Sequence, residues 1–151
     1  MESDGIVMNI DEKYLEETNI QVLERHKEKT KEQVFVRTWP DNLSQVFPKV
    51  ATYGTSGDLK KRLIDKAACI MAFIPWVQAF DDGNRRTSII AAGTFLRDNG
   101  YDLDITTDNE NKELIDLLGE IKKFRSDLKA DLMKKLILYI SQRIIIHEQR
   151  T

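Results

Sequence analysis

Cysteine, proline and glycine are scarce in this chain, at one, three and seven of 151 residues. A lone thiol, Cys69, has no internal disulfide partner, and its place in an apolar run fits a reducing compartment. So little Gly and Pro excludes collagen-like repeats and favours helices. An excess of charge is missing too: 23 Lys+Arg face 25 Asp+Glu, a formal net charge of −2. Dedicated nucleic-acid binders carry a basic excess, so direct nucleic-acid binding is not expected. The longest apolar stretch, Ala67 to Phe80, is too short to span a bilayer and contains Pro75 and Gln78, so no membrane partner is expected. The N-terminal Met-Glu-Ser-Asp-Gly precedes no apolar region, no signal peptide is visible, and a cytoplasmic location is expected.

What is present suffices for a core: hydrophobic residues make up 41% of the chain, and the length fits a single domain over 1–151. Residues 10–32 read as a charged helix with sparse apolar positions, Tyr14, Leu15, Ile20, Val22 and Leu23, and a solvated face at 24–32. Val34-Phe35-Val36 reads as a short strand or hairpin arm. Residues 38–57, with Trp39-Pro40, Phe47-Pro48, Gly54 and Gly57, read as the longest irregular stretch, a surface connection or a functional loop. Leu59 to Val77 carries a buried helical stripe through Leu63, Ile64, Ala67, Ala68, Met71 and Ala72, which Pro75 should end or kink. A second helix follows with Ile89, Ala92, Phe95 and Leu96, and Asn99-Gly100 lies beyond its C-terminus. Tyr101 to Ile105 is briefly extended, 110–119 forms a short helix, and Leu128, Leu132, Leu136, Ile140 and Ile144 mark a long one. The fold class is mainly α, a compact multi-helix domain with room for one small β-hairpin. Ile144-Ile145-Ile146 is read as buried against the central helices, with the seam of a homodimer as the other reading.

Chemistry concentrates in the break between the two apolar helices, Asp81-Asp82-Gly83-Asn84-Arg85-Arg86. Gly83 allows a positive φ and close approach of a ligand to the backbone. Asn84 suits an N-cap that leaves the N–H groups of the next turn outward, and Arg85 and Arg86 add fixed positive charge. Asp81 and Asp82 are carboxylates of the kind that hold Mg²⁺ together with phosphate oxygens. These residue types suit a nucleotide phosphate; they also suit an ordinary turn into a helix. Elsewhere, His26 and His147 lack ligand spacing, so zinc is not expected. Cys69, Trp39 and Trp76 read as packing residues.

Gln78-Ala79-Phe80-Asp81-Asp82-Gly83-Asn84-Arg85-Arg86 resembles the Fic/Doc family motif His-x-Phe-x-(Asp/Glu)-Gly-Asn-x-Arg. Phe95-Leu96-Arg97-Asp98-Asn99-Gly100-Tyr101 is similar to the continuation found in the Doc, or death-on-curing, branch, and the likeness runs from about 54 to 120. The resemblance implies a fold of the Fic/Doc type and transfer of AMP or a phosphoryl group from ATP, with Mg²⁺, to a hydroxyl of a target protein. It places Asp82 at the metal position, Gly83 and Asn84 at the phosphate cradle, Arg86 at the phosphate clamp, and Phe80 as a buried aromatic. It also implies a β-hairpin flap, expected between Val34 and about Tyr53, and a toxin-type module restrained by a separate antitoxin protein.

Two departures bear on activity. Gln78 stands where the family has its catalytic His, and a carboxamide cannot act as a general base near neutral pH; losing such a base costs about 10²–10⁴-fold. Arg85 occupies a position that is Gly in AMP-transferring members and Lys in the Doc branch, which favours the Doc-like nucleotide orientation. Ile89 replaces a second arginine of the longer Fic pattern, again as in Doc. The alternative to an active transferase is therefore a pseudoenzyme, or an inactivated variant, that binds nucleotide or protein. Thr106-x-x-x-Glu110-Asn111 also fits the family's autoinhibitory pattern, but is read as a helix start capped by Thr107 or Asp108.

Overall fold

The computed structural model describes residues 5–105, 107–123 and 128–147. Among them the chain forms seven helices and one two-stranded sheet: α1 Glu12–Thr30, α2 Pro40–Leu43, α3 Val46–Ala51, α4 Leu59–Val77, α5 Asn84–Asp98, β1 Tyr101–Leu103, α6 Asp108–Lys123, α7 Ala130–Arg143 and β2 Ile144–Ile146. The architecture is the mainly α one expected. No helix among the described residues is long and apolar enough to cross a membrane.

The organising element is α4. Asp58 caps its start by accepting from the Lys61 N–H at 2.8 Å. Every residue from Leu63 to Pro75 is buried, so the helix is enclosed on all sides, with α5, α6, α7 and α3 packed around it. Cys69 lies wholly inside this core, and burial pushes its thiol up to about 12, so it behaves as a small hydrophobe. Pro75 does not break the helix: it sits in the last turn, and the helix ends at Val77 when Gln78 turns left-handed, φ 53°. Pro75 removes the bond to the Met71 carbonyl, but with only Trp76 and Val77 beyond it in the helix little is left to disrupt, and the burial of Leu63 to Pro75 holds the turn.

Four expectations need correction. Val34-Phe35-Val36 forms no hairpin; residues 32–39 run extended beside the loop after α4, with one isolated antiparallel bridge, Thr38 to Phe80. The expected flap is thus absent, because hydrogen bonds from this segment go to residues 79–82 instead of a second arm. The stretch 38–57 is not irregular throughout, since it contains α2 and α3. Buried Lys66 holds the end of α3, donating to the carbonyls of Val50 (3.1 Å) and Tyr53 (2.7 Å). Finally, Ile144-Ile145-Ile146 is a strand rather than helix or core, antiparallel to β1 with Leu103 opposite Ile144. Three β-branched residues in a row favour extended backbone, and only Ile144 is buried, whereas Ile146 is 74% exposed.

At the start of α6, Thr107 and Glu110 form a reciprocal cap, with Glu110 N–H donating to Thr107 Oγ1 at 3.2 Å. That is the capping role expected there; Thr106 lies outside the described residues. Asn99 and Gly100 end α5 as expected, and Asn99 also pins the N-terminal segment through a pair of hydrogen bonds with Val7 (2.7 and 2.8 Å).

Candidate functional site

The loop from Gln78 to Gly83 joins the end of α4 to the start of α5. Phe80 is buried and anchors it to the core. Asn84 does not cap α5. Its side chain reaches back to Phe80, accepting from the Phe80 N–H (3.0 Å) and donating to the Phe80 carbonyl (2.8 Å). A carboxamide is the side chain that can satisfy both halves of one backbone residue. The N-cap is Gly83, with φ 79° and no capping side chain. The first N–H groups of α5 therefore keep their usual lack of intrahelical partners, and the positive end of the helix dipole is left uncapped by any side chain.

Gly83 is required for space as well as conformation. A Cβ there would lie 3.0 Å from Asn19 Nδ2 and 3.2 Å from Leu23 Cδ2, so α1 packs directly on the loop. Asn19, buried on α1, donates to the Asp82 carbonyl at 2.8 Å and to Thr87 Oγ1 at 3.2 Å, tying α1 to both ends of the turn.

The two carboxylates hold the extended segment. Asp82 Oδ2 accepts from the Phe35 N–H (2.9 Å), and Asp81 Oδ1 accepts from Trp39 Nε1 (2.6 Å). Between them Trp39 N–H donates to the Ala79 carbonyl at 2.8 Å and Asp81 N–H to the Arg37 carbonyl at 3.0 Å. Trp39 is thus not a core residue: it is partly exposed, hydrogen-bonded, and covered by the Arg37 guanidinium 3.9 Å from its ring centre. Trp76 does pack, stacked on Phe73 with ring centres 5.2 Å apart.

On the α1 side of the loop opens a cavity of about 730 Å3. Asp81, Asp82, Gly83, Asn84, Arg85 and Arg86 line one wall; Val22, Leu23, Arg25, His26, Lys29, Glu32 and Val34 line another, with Ile115 and Lys122 of α6 closing a third. Cationic side chains outnumber acidic ones here, and the α5 N-terminus adds to the positive potential. Arg85 Nη1 donates to the Ile115 carbonyl (3.3 Å), which draws this side chain toward α6. Arg86 lies beside His26, with Nη1 and ring Nδ1 3.5 Å apart, and His26 Nε2 is 3.1 Å from Glu32 Oε2. Gln78 is not among the lining residues. Its left-handed N–H closes α4 and its carbonyl accepts from Asn42 Nδ2 at 3.2 Å.

For a cation, Asp82 is the relevant wall carboxylate. No group of three or more His, Cys, Asp or Glu among the described residues forms a metal cage. One carboxylate completed by phosphate oxygens is nevertheless how Mg²⁺ is commonly held, and the Phe35 N–H takes up only one of the acceptor directions of Asp82. The residues fit a metal that arrives with its phosphates.

The structure thus brings Asp82, Gly83, Asn84, Arg85 and Arg86 to one cavity and leaves Gln78 out of it. Sequence reading did not find Asn19, His26 and Glu32. A trace of signal exists for two of them: Asn19, Val22, Leu23 and His26 follow i, i+3, i+4, i+7 spacing, so a polar residue and an imidazole share the inward face of α1. The charged stretch 24–32 is accordingly more than a solvated face, since Arg25, His26, Lys29 and Glu32 all line the cavity.

Over 83 residues the chain is 38% identical to "Toxin Doc" of Mycolicibacterium smegmatis (strain ATCC 700084 / mc(2)155), a match covering 55% of this chain and 61% of that protein. No solved structure matches significantly. The model of the Fic/DOC family matches residues 9–96, a span that takes in α1, the extended segment, α4, the motif loop and nearly all of α5. By that match and by the motif loop it encloses, the chain belongs to the Fic/DOC family, on its Doc side.

Proposed function

We propose that the cavity binds the phosphates of ATP together with Mg²⁺, and that the protein transfers AMP or a phosphoryl group from that nucleotide to a hydroxyl on a target protein. The observation that carries this reading is the α5 N-terminus: N–H groups not covered by any capping side chain, Gly83 at the turn, and Arg86 beside them on the same cavity wall. Arg86 would clamp phosphate oxygens, Gly83 and the first turn of α5 would cradle them, and Asp82 would share Mg²⁺ with them. Similarity to Toxin Doc supports a toxin-type role, inside the cell, under control of a separate antitoxin.

Calorimetry with ATP and Mg²⁺ tests the binding step. Arg86→Ala should weaken binding at least tenfold, because a charge-assisted phosphate contact is worth about 1.5–3 kcal/mol. Absence of any heat with the unaltered chain would remove the nucleotide role. A second reading, a pseudoenzyme that binds nucleotide without transfer, is favoured by the position of Gln78: it stands where the motif has its His and does not line the cavity. Labelled ATP incubated with a bacterial lysate separates the two, since only a transferase labels protein.

A further inference from the structure

We propose that His26, on α1, is the general base of this site in place of the residue lost at position 78. The inference rests on the nucleotide reading above. His26 is the imidazole among the residues lining the cavity, its side chain is 27% exposed, and it stands beside the phosphate-clamping arginine.

The neighbours dictate its tautomer. Arg86 offers only donors, so the ring nitrogen facing it, Nδ1, must present its lone pair. Glu32 offers only acceptors, so Nε2 must carry the hydrogen. The result is an imidazole with a carboxylate behind one ring nitrogen and the other, Nδ1, on the side of the residue that would hold phosphate. A carboxylate behind an imidazole fixes its orientation and stabilises the cation formed when it takes a proton. Gln78 lacks the basicity for this task.

The step balances without another reagent. As the oxygen of the target hydroxyl forms its bond to a nucleotide phosphorus, a phosphoanhydride P–O bond breaks and its electron pair leaves with the departing phosphate group. Arg86 turns to the bound phosphate and frees His26 Nδ1, the hydroxyl proton passes to that nitrogen, Glu32 pairs with the resulting imidazolium, and the proton returns to solvent after product release. Glu32 is a positioning residue: it touches no reacting atom and acts through the ring.

The test measures transfer of label from ATP, labelled at either the α or the γ phosphate, into proteins of a bacterial lysate, with calorimetry of ATP–Mg²⁺ alongside. Expected are label transfer by the unaltered chain and a loss of about 10²–10⁴-fold in His26→Gln with ATP affinity and thermal midpoint retained. Added imidazole should restore part of the rate in His26→Ala, and Glu32→Gln should lower kcat about tenfold at unchanged KM for ATP. An undiminished rate in His26→Gln overturns the proposal. So does ATP binding with no transfer until Gln78→His is introduced, an outcome that leaves the nucleotide reading standing. No binding of ATP at all overturns the nucleotide reading and the proposal together.

Discussion

The two walls of the cavity are built by opposite means. The α5 wall is one short stretch, residues 81–86, and the turn at its centre is closed locally, by the clasp of Asn84 on Phe80 four residues back. The α1 wall comes from residues 22–34, some fifty positions earlier, and is tied to the rest of the site by tertiary contacts that flank it: Asn19 on Asp82 and Thr87, Tyr14 on Thr94, Phe35 on Asp82. The local wall carries the residues that match the family motif. The assembled wall supplies the groups that could distinguish this protein, His26 and Glu32, and it can shift as a unit if its few tethers are cut.

Breaking the local wall should have the largest effect. Asn84→Ala leaves a buried N–H and carbonyl of Phe80 unpaired at once, which should cost about 2–4 kcal/mol of stability by urea titration. The loop would then lose its shape even at temperatures where the protein stays folded, and ATP binding should fall with it. If Asn84→Ala costs less than the loss of one exposed hydrogen bond, the local wall is not self-supporting and the contrast fails.

The contact between the walls comes next. Gly83→Ala puts a methyl group 3.0 Å from Asn19 Nδ2 and strains a left-handed backbone position, with an expected cost of about 1–3 kcal/mol. Because α1 must move to make room, hydrogen exchange in α1 should quicken more than in α4. Equal acceleration of both helices would mean that the walls do not move separately.

Cutting a tether outside the cavity should do less. Trp39→Phe keeps the ring but removes the hydrogen bond to Asp81, and should cost about 0.5–1.5 kcal/mol while loosening the extended segment 32–39. Tryptophan fluorescence of the unaltered chain, in which Trp39 and Trp76 both emit, gives the reference; removal of Trp39 should eliminate the more accessible component in acrylamide quenching.

The smallest effect is a control remote from both walls. Hydrogen bonding from His147 (2.6 Å), with help from Arg97 (3.0 Å), holds the Asp102 carboxyl below its ordinary range. A depressed carboxylate contributes stability that is present above its unfolded value and lost as pH falls through the folded one. The difference in urea midpoint between the unaltered chain and Asp102→Asn should therefore shrink to nothing on acidification, with no change in ATP affinity at neutral pH. A gap that widens toward low pH would refute this assignment.

Most of the helical architecture was legible because it rests on local period. The stripe of α4, α5 with Asn99-Gly100 behind it, and the Thr107 cap of α6 are all short-range patterns. The errors fall where a segment takes its conformation from a distant partner. Residues 32–39 are extended because residues 79–82 accept and donate to them, and Ile144–Ile146 is a strand because β1 offers an unpaired edge. Asn84 was rightly placed at the loop but in the wrong role, since a left-handed Gly83 can start the helix and free the carboxamide to bind backward.

By itself, then, the sequence determined the five longer helices, the buried stripe of α4, and an acid–glycine–arginine turn whose spacing marks the family. Each depends on interactions within a few residues, which composition and order encode directly. Only the tertiary structure decided that the backbone of Gln78 closes α4 in a left-handed turn, and that His26 stands between Glu32 and Arg86 on the cavity wall. That arrangement joins residues sixty positions apart, and it exists only because α1 docks on a glycine with no side chain to hold it off.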